Sequence, residues 1–206
     1  MQYRSRVAWS SERRAAVILA SIAVAEGLWV VGNLQAAGYA RFARFLGFGD
    51  VHATTAGWTA AIITFAAFTG YALAQFRSVR EHAVSWSFLK VLGIAVAITA
   101  AMCEEGLFRK ALMDHLAVEH YGVAIQVAAS AFAFGALHGV WGLFRGSIVA
   151  AIGATVATGV LGLALAIVYV ISDRVLAPCV VAHFLINLVI EPGLMLAAVR
   201  GEMSYG

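Results

Sequence analysis

Apolar residues fill long blocks along nearly the whole chain, and polar residues gather in the short gaps between them. A helix needs roughly 20 residues to cross about 30 Å of hydrocarbon. Six blocks reach that length, at residues 15–38, 53–76, 88–116, 121–143, 147–171 and 175–198. The predicted fold is an all-α integral membrane protein with about six transmembrane helices. Short alternating strands, the mark of a membrane barrel, are absent from the pattern. The third block is longer than one span, so part of it tilts or lies at the interface. The longest gaps, from Tyr39 to His52 and from Arg77 to Ser87, each have room for a turn of interfacial helix.

Composition narrows this picture. With 62% of residues hydrophobic and 12% charged, no polar stretch is left to build a separate soluble domain. Lysine and arginine collect on cytoplasmic flanks. With the N-terminus inside, that side holds nine: Arg4, Arg6, Arg13, Arg14, Arg77, Arg80, Lys90, Arg145 and Arg200. The other side holds five, Arg41, Arg44, Arg109, Lys110 and Arg174, so both termini are expected inside. The formal charge of +3 therefore reflects topology and not nucleic-acid binding. The first block exceeds the 7–15 apolar residues of a signal peptide and is expected to be retained. Cys103 and Cys179 lie inside spans, offer no disulfide framework or metal-type spacing, and read as small packing residues.

Polar side chains inside the spans carry the chemistry. Carboxylates and guanidinium groups near a bilayer centre each cost about 2.5–3.5 kcal/mol on insertion scales. The stretch AAMCEEGLFRK nevertheless places Glu104, Glu105 and Arg109 in the third block. Glu105 and Arg109, four apart, share a helix face and can pair, whereas Glu104 points about 100° away. Adjacent carboxylates in an apolar medium resist joint ionisation. Glu104 is thus the tunable group, suited to take a proton from water. The fourth block carries His138, four residues after Phe134, and the sixth carries His183 and Asn187. Counted from the turn near residues 117–120, Glu104 lies roughly 20 Å along one arm and His138 roughly 27 Å along the other. His183 agrees in depth only loosely, and a tilt or a re-entrant SDRVLAP turn has to supply the rest.

EEGLFR fits EExxxR, FGALH fits FxxxH, and HFLIN fits HxxxN, in that order and with one further span between the last two. Together they resemble the CPBP family of intramembrane proteases, which comprises type II CAAX prenyl endopeptidases and bacteriocin-processing or self-immunity (ABI) proteins. The similarity covers about residues 90–190. It implies a four-helix catalytic core at residues 87–199. Before that core come a cytoplasmic segment at 1–14 and two accessory helices within 15–86, and a tail at 200–206 follows it. By the resemblance, Glu104 and His138 activate the attacking water, and His183 and Asn187 stabilise the oxyanion. Glu105, Arg109 and Phe134 support them. A bacterial or archaeal cytoplasmic membrane is the expected location.

The resemblance implies hydrolysis of a peptide bond in a membrane-tethered substrate: a prenylated or lipidated tail, a peptide precursor or a C-terminal sorting helix. Metal-free, glutamate-type chemistry is favoured. Zinc is the alternative cofactor, and its ligands would be Glu104, His138 and His183. Expected partners are that substrate and the bilayer, with an accessory subunit or homo-oligomer also compatible. The rival reading is a non-proteolytic immunity or scaffold protein of the same family; a transporter is weaker, since inverted repeats are not evident.

Other polar residues are less informative. Glu26, mid-span, contacts the site, another subunit or a packing partner. Glu191 lines the cavity mouth or ends a helix before Pro192. Gln126 and Ser130 precede Phe134 at the same spacing. His52, His82, His115 and His120 fall at loop or interfacial positions. Gly106 allows close helix approach, and Ala150, Ala154, Thr158, Gly162 and Ala166 give the fifth span a small-residue face for packing.

Overall fold

The computed structural model describes residues 2–49, 52–143 and 148–202. Arg145 and tail residues 203–206 lie outside them, as do the side chains of Arg4 and Arg6. Every regular element among the described residues is helical. The elements are α1 (Gln2–Ala37), α2 (Tyr39–Phe45), α3 (Thr55–Gln75), α4 (Arg77–His82) and α5 (Phe88–Glu105). A π-helical segment, Gly106–Met113, carries α5 directly into α6 (Asp114–Val118). After it come α7 (Val123–Leu143), α8 (Ile148–Ile171), α9 (Ala177–Ile190) and α10 (Gly193–Arg200). Five helices are long and apolar enough to span a membrane, and six if α9 and α10 together make one span.

The span pattern is close to the one predicted, with three differences. First, the α1 helix extends back to Gln2, although its apolar, span-length part, Ser11–Ala37, lies close to the predicted block. Second, the long third block is one helical run from Phe88 to Val118, interrupted by the π segment. Third, the sixth block is broken: α9 and α10 meet at an angle of 57°. Pro192 supplies no amide hydrogen to continue the ladder, and Glu191 ends α9. The Glu191 carboxylate turns back to accept from Met195 N at 3.4 Å, which settles on the helix-end role. Lys90 donates to the freed carbonyls of Leu188 and Glu191 at 2.5 and 2.9 Å, satisfying groups that a helix C-terminus leaves open. Both long gaps hold a short helix, α2 and α4, as the gap lengths allowed.

At the centre α5 packs against α9, with α1 on one side of α5 and α3 beside α9. The α7–α8 hairpin leans on the π segment and on α3. Small residues set its seam: a Cβ on Gly135 would lie 2.5 Å from Thr155 O and 3.0 Å from Gly159 Cα. Gly162 sits in this seam against Phe134. Its companions are Thr155 and Gly159, one position round the helix from the expected Ala154 and Thr158. Thr158 instead back-bonds to Ala154 O at 2.7 Å.

The turn from α8 to α9 decides the depth of His183. Ser172, Val175 and Leu176 are all buried, and Asp173 and Arg174 take the left-handed conformation that lets the chain dive back into the bundle. Gly47 follows α2 and presses on this turn so closely that a Cβ there would stand 2.7 Å from Ala177 N. Arg174 clamps the turn to Asp114 at 2.7 Å and to Gln126. Tyr169 donates to the same Asp114 at 3.0 Å, and Lys110 pairs with it at 2.9 Å. Gln126 and Ser130 are therefore structural: Ser130 Oγ donates at 3.0 Å to Phe108 O, a carbonyl of the π segment.

Because neither backbone in the α7–α8 seam can retreat, Gly135→Ala should cost about 1–3 kcal/mol by overpacking. Gly32→Ala, where a Cβ meets nothing within 4 Å, should leave stability near or above the parent value. Thermal melts of the two variants in detergent check the contrast.

Candidate active site

Three helices bring the motif side chains to one point. Glu104 and Glu105 lie at the end of α5, Phe134 and His138 on α7, and His183 on α9. Glu104 Oε2 stands 3.9 Å from His138 Nε2 and 3.8 Å from His183 Nε2. That oxygen is buried and makes no hydrogen bond among the described residues. The carboxyl thus points into the bundle between two imidazoles and not toward lipid.

Glu105 does more than pair along its own helix. The expected contact with Arg109 is present at 3.2 Å, both side chains being wholly buried. The same oxygen, Oε1, also meets His183 Nδ1 at 2.7 Å. A carboxylate only accepts, so Nδ1 carries the hydrogen and Nε2 is turned toward Glu104. Arg109 completes the cluster by donating to Gly162 O on α8 at 3.1 Å and by lying over the Phe134 ring, 4.6 Å from its centroid. No sequence spacing announces a contact between helices 78 residues apart, so the Glu105–His183 bond was not foreseen.

The α7 side follows the same logic. His138 Nδ1 is 2.8 Å from Phe134 O, and a carbonyl is acceptor only, so Nδ1–H donates. Neutral His138 then presents a basic Nε2 to Glu104. Phe134 packs under His138 with ring centroids 4.5 Å apart and meets His183 edge-on at 5.9 Å. It orients one imidazole and walls the other. Asn187 sits a turn beyond His183 on α9, half-buried, and its side chain makes no hydrogen bond among the described residues.

A model of the type II CAAX prenyl endopeptidase family, Rce1-like, matches residues 84–189, just over half of the chain. The chain belongs to this family. Searches of curated proteins and of solved structures each returned no match. The Rce1-like family is one of CAAX-type intramembrane proteases. With its long apolar helices, this member is an integral membrane protein of that class.

The metal alternative can be tested on the donors of this Rce1-like site. Zinc ligands sit about 2.0–2.1 Å from the ion, which puts tetrahedral neighbours about 3.3 Å from one another. Glu104 Oε2 is 3.8 and 3.9 Å from the two Nε2 atoms, wider than such a set. Among the described residues no three His, Cys, Asp or Glu side chains form a group that could hold a metal.

The remaining candidates take bland places. Cys103 is buried, and Cys179 is buried with its Sγ at 3.3 Å from Leu165 O. His52, His115 and His120 are exposed, while His82 is half-buried with Nδ1 2.8 Å from Ser78 O. Gly106 allows the close approach expected of it, since a Cβ would stand 2.8 Å from the Trp29 ring.

Removing the guanidinium would leave Glu105 as a buried charge balanced only by His183. Arg109→Met should therefore cost about 3–5 kcal/mol. Arg109→Lys should not restore the loss, because an ammonium lacks the planar fork that serves Glu105, Gly162 O and the Phe134 ring at once. Denaturant or thermal unfolding of both variants checks this.

Proposed function

We propose that the protein hydrolyses a peptide bond in a membrane-tethered substrate by metal-free, glutamate-type chemistry. The observation that carries the reading is the convergence of Glu104 Oε2 with two imidazole nitrogens at 3.8 and 3.9 Å. These distances exceed a direct hydrogen bond. They suit groups that share one water, each bonding it at about 2.7–3.0 Å. Glu104, with His138 Nε2 beside it, takes the proton as the water oxygen adds to the scissile carbonyl carbon. The carbonyl oxygen becomes an oxyanion.

His183 in its imidazolium form donates from both nitrogens, to Glu105 through Nδ1 and to the oxyanion through Nε2. The Asn187 amide, one turn on, is the second donor. Such donors, placed where charge develops, lower the barrier without reorganising in the reaction. Collapse of the intermediate breaks the C–N bond, and the proton held by Glu104 and His138 passes to the leaving nitrogen. The products are a carboxylic acid and an amine. Glu105, Arg109 and Phe134 act by holding His183 and His138, not by touching substrate.

The substrate class we favour is a prenylated CAAX tail, on the strength of the family description alone. The excess of basic residues on one set of helix ends supports a topology with both termini on the cytoplasmic side, and a bacterial or archaeal cytoplasmic membrane is the location proposed.

The test is the purified chain in liposomes with a farnesylated peptide ending in cysteine and three further residues, read by mass spectrometry for loss of those three. Glu104→Ala and His138→Ala should abolish cleavage, and Asn187→Ala should lower kcat by about 10²–10³ with a small effect on KM. Wild-type turnover should persist in EDTA and in phenanthroline. Cleavage by Glu104→Ala at the wild-type rate would discard the mechanism, and a binding function kept by both alanine variants would favour the immunity or scaffold reading.

A further inference from the structure

One more carboxyl reaches this site, from outside the stretch the family model covers. Glu26 lies at mid-span on α1, whereas the family match begins at residue 84. A carboxyl there is costly unless it has a partner, and Thr99 of α5 is one, its Oγ1 donating to Glu26 Oε2 at 2.9 Å. The approach of the helices makes this possible: a Cβ on Gly27 would already touch the Thr99 methyl at 3.8 Å. Thr99 lies five residues before Glu104 on α5, so its bond holds Glu26 against the same helix. Glu26 is in side-chain contact with Glu104 and within charge range of His183. Cys103, next to Glu104 on α5, is also within charge range of Glu26.

Two ionised carboxylates are acceptors only, so their contact requires a proton between them. We propose that Glu26 is a positioning residue of the site: protonated, it donates a hydrogen bond to the Glu104 carboxylate and holds it facing the two imidazoles. No bond is made or broken by Glu26. The hydrogen bond leaves the second Glu104 oxygen free for water and restrains the side chain from swinging out between α1 and α5. The inference rests on the proposed hydrolytic role of Glu104, and α1 is thereby a working part of the site.

The test compares Glu26→Leu with Glu26→Gln in the full chain, using the same farnesylated peptide. Leucine removes the donor but suits the bilayer, so folding is retained; glutamine keeps an N–H that can donate to Glu104. The expected result is a kcat about tenfold lower or more for Glu26→Leu, with KM within about twofold, and recovery to within about threefold of wild type for Glu26→Gln. Wild-type kcat in Glu26→Leu, or Glu26→Gln as slow as Glu26→Leu, would overturn it. Glu104→Ala is run alongside: if that variant cleaves normally, the hydrolytic reading itself has failed. A second readout needs no cleavage. Thermal melts of Glu26→Leu, Glu104→Leu and the double variant should be non-additive by at least about 2 °C if the carboxyls are bonded. Additive shifts would overturn the contact.

Discussion

A carboxylate wholly removed from solvent sits at the centre of this bundle, and the arrangement around it is what its burial requires. Glu105 takes a guanidinium from its own helix at 3.2 Å and an imidazole from α9 at 2.7 Å. Breaking any one of these leaves a charge in low dielectric with too few partners, which is far costlier than losing a surface ion pair. The cluster therefore locks α5, α9 and, through Arg109 and Gly162 O, α8 in a single register. It also fixes which nitrogen of His183 points at Glu104. The difference between the adjacent glutamates follows: Glu105 is held through Oε1 by both Arg109 and His183, whereas Glu104 Oε2, facing the two imidazoles, has no protein donor among the described residues.

Two departures from regular helix make that register reachable. The π segment after Glu105 widens the helix where Arg109 must turn inward, and Ser130 accommodates it by donating to a carbonyl of that segment, Phe108 O. The turn at residues 172–176, buried at Ser172, Val175 and Leu176, leads into α9 and is held by Arg174 on Asp114 and by the close pass of Gly47. Without it His183 would begin too near the surface to meet groups on α5. Both features cost backbone regularity.

The spans were legible because the bilayer imposes a length and an apolar composition that any sequence must meet, and the glutamate, histidine and asparagine motifs were legible because polar groups stand out in such a background. What could not be read was how helices register against one another. The Glu105–Arg109 pair is local and was foreseen; Glu105–His183 depends on the depth of a turn and was not. On the small-residue face of α8, Gly162 packs in the seam as expected, but Thr155 and Gly159 stand where Ala154 and Thr158 were expected, because spacing within a helix gives a stripe but not the angle at which a neighbour meets it. The break between α9 and α10 was signalled by Pro192, yet hydropathy continued through it. Glu26 was visible as an odd mid-span acid, while its neighbour on α5 was not.

The Glu105–His183 bond offers the most direct test of this account. In full-length protein carrying ¹⁵N-labelled histidine, proton NMR at neutral pH should show one strongly downfield imidazole N–H belonging to His183, and it should vanish in Glu105→Gln. A His183 N–H that resonates at the ordinary exposed position, or one that is unchanged in Glu105→Gln, would contradict it.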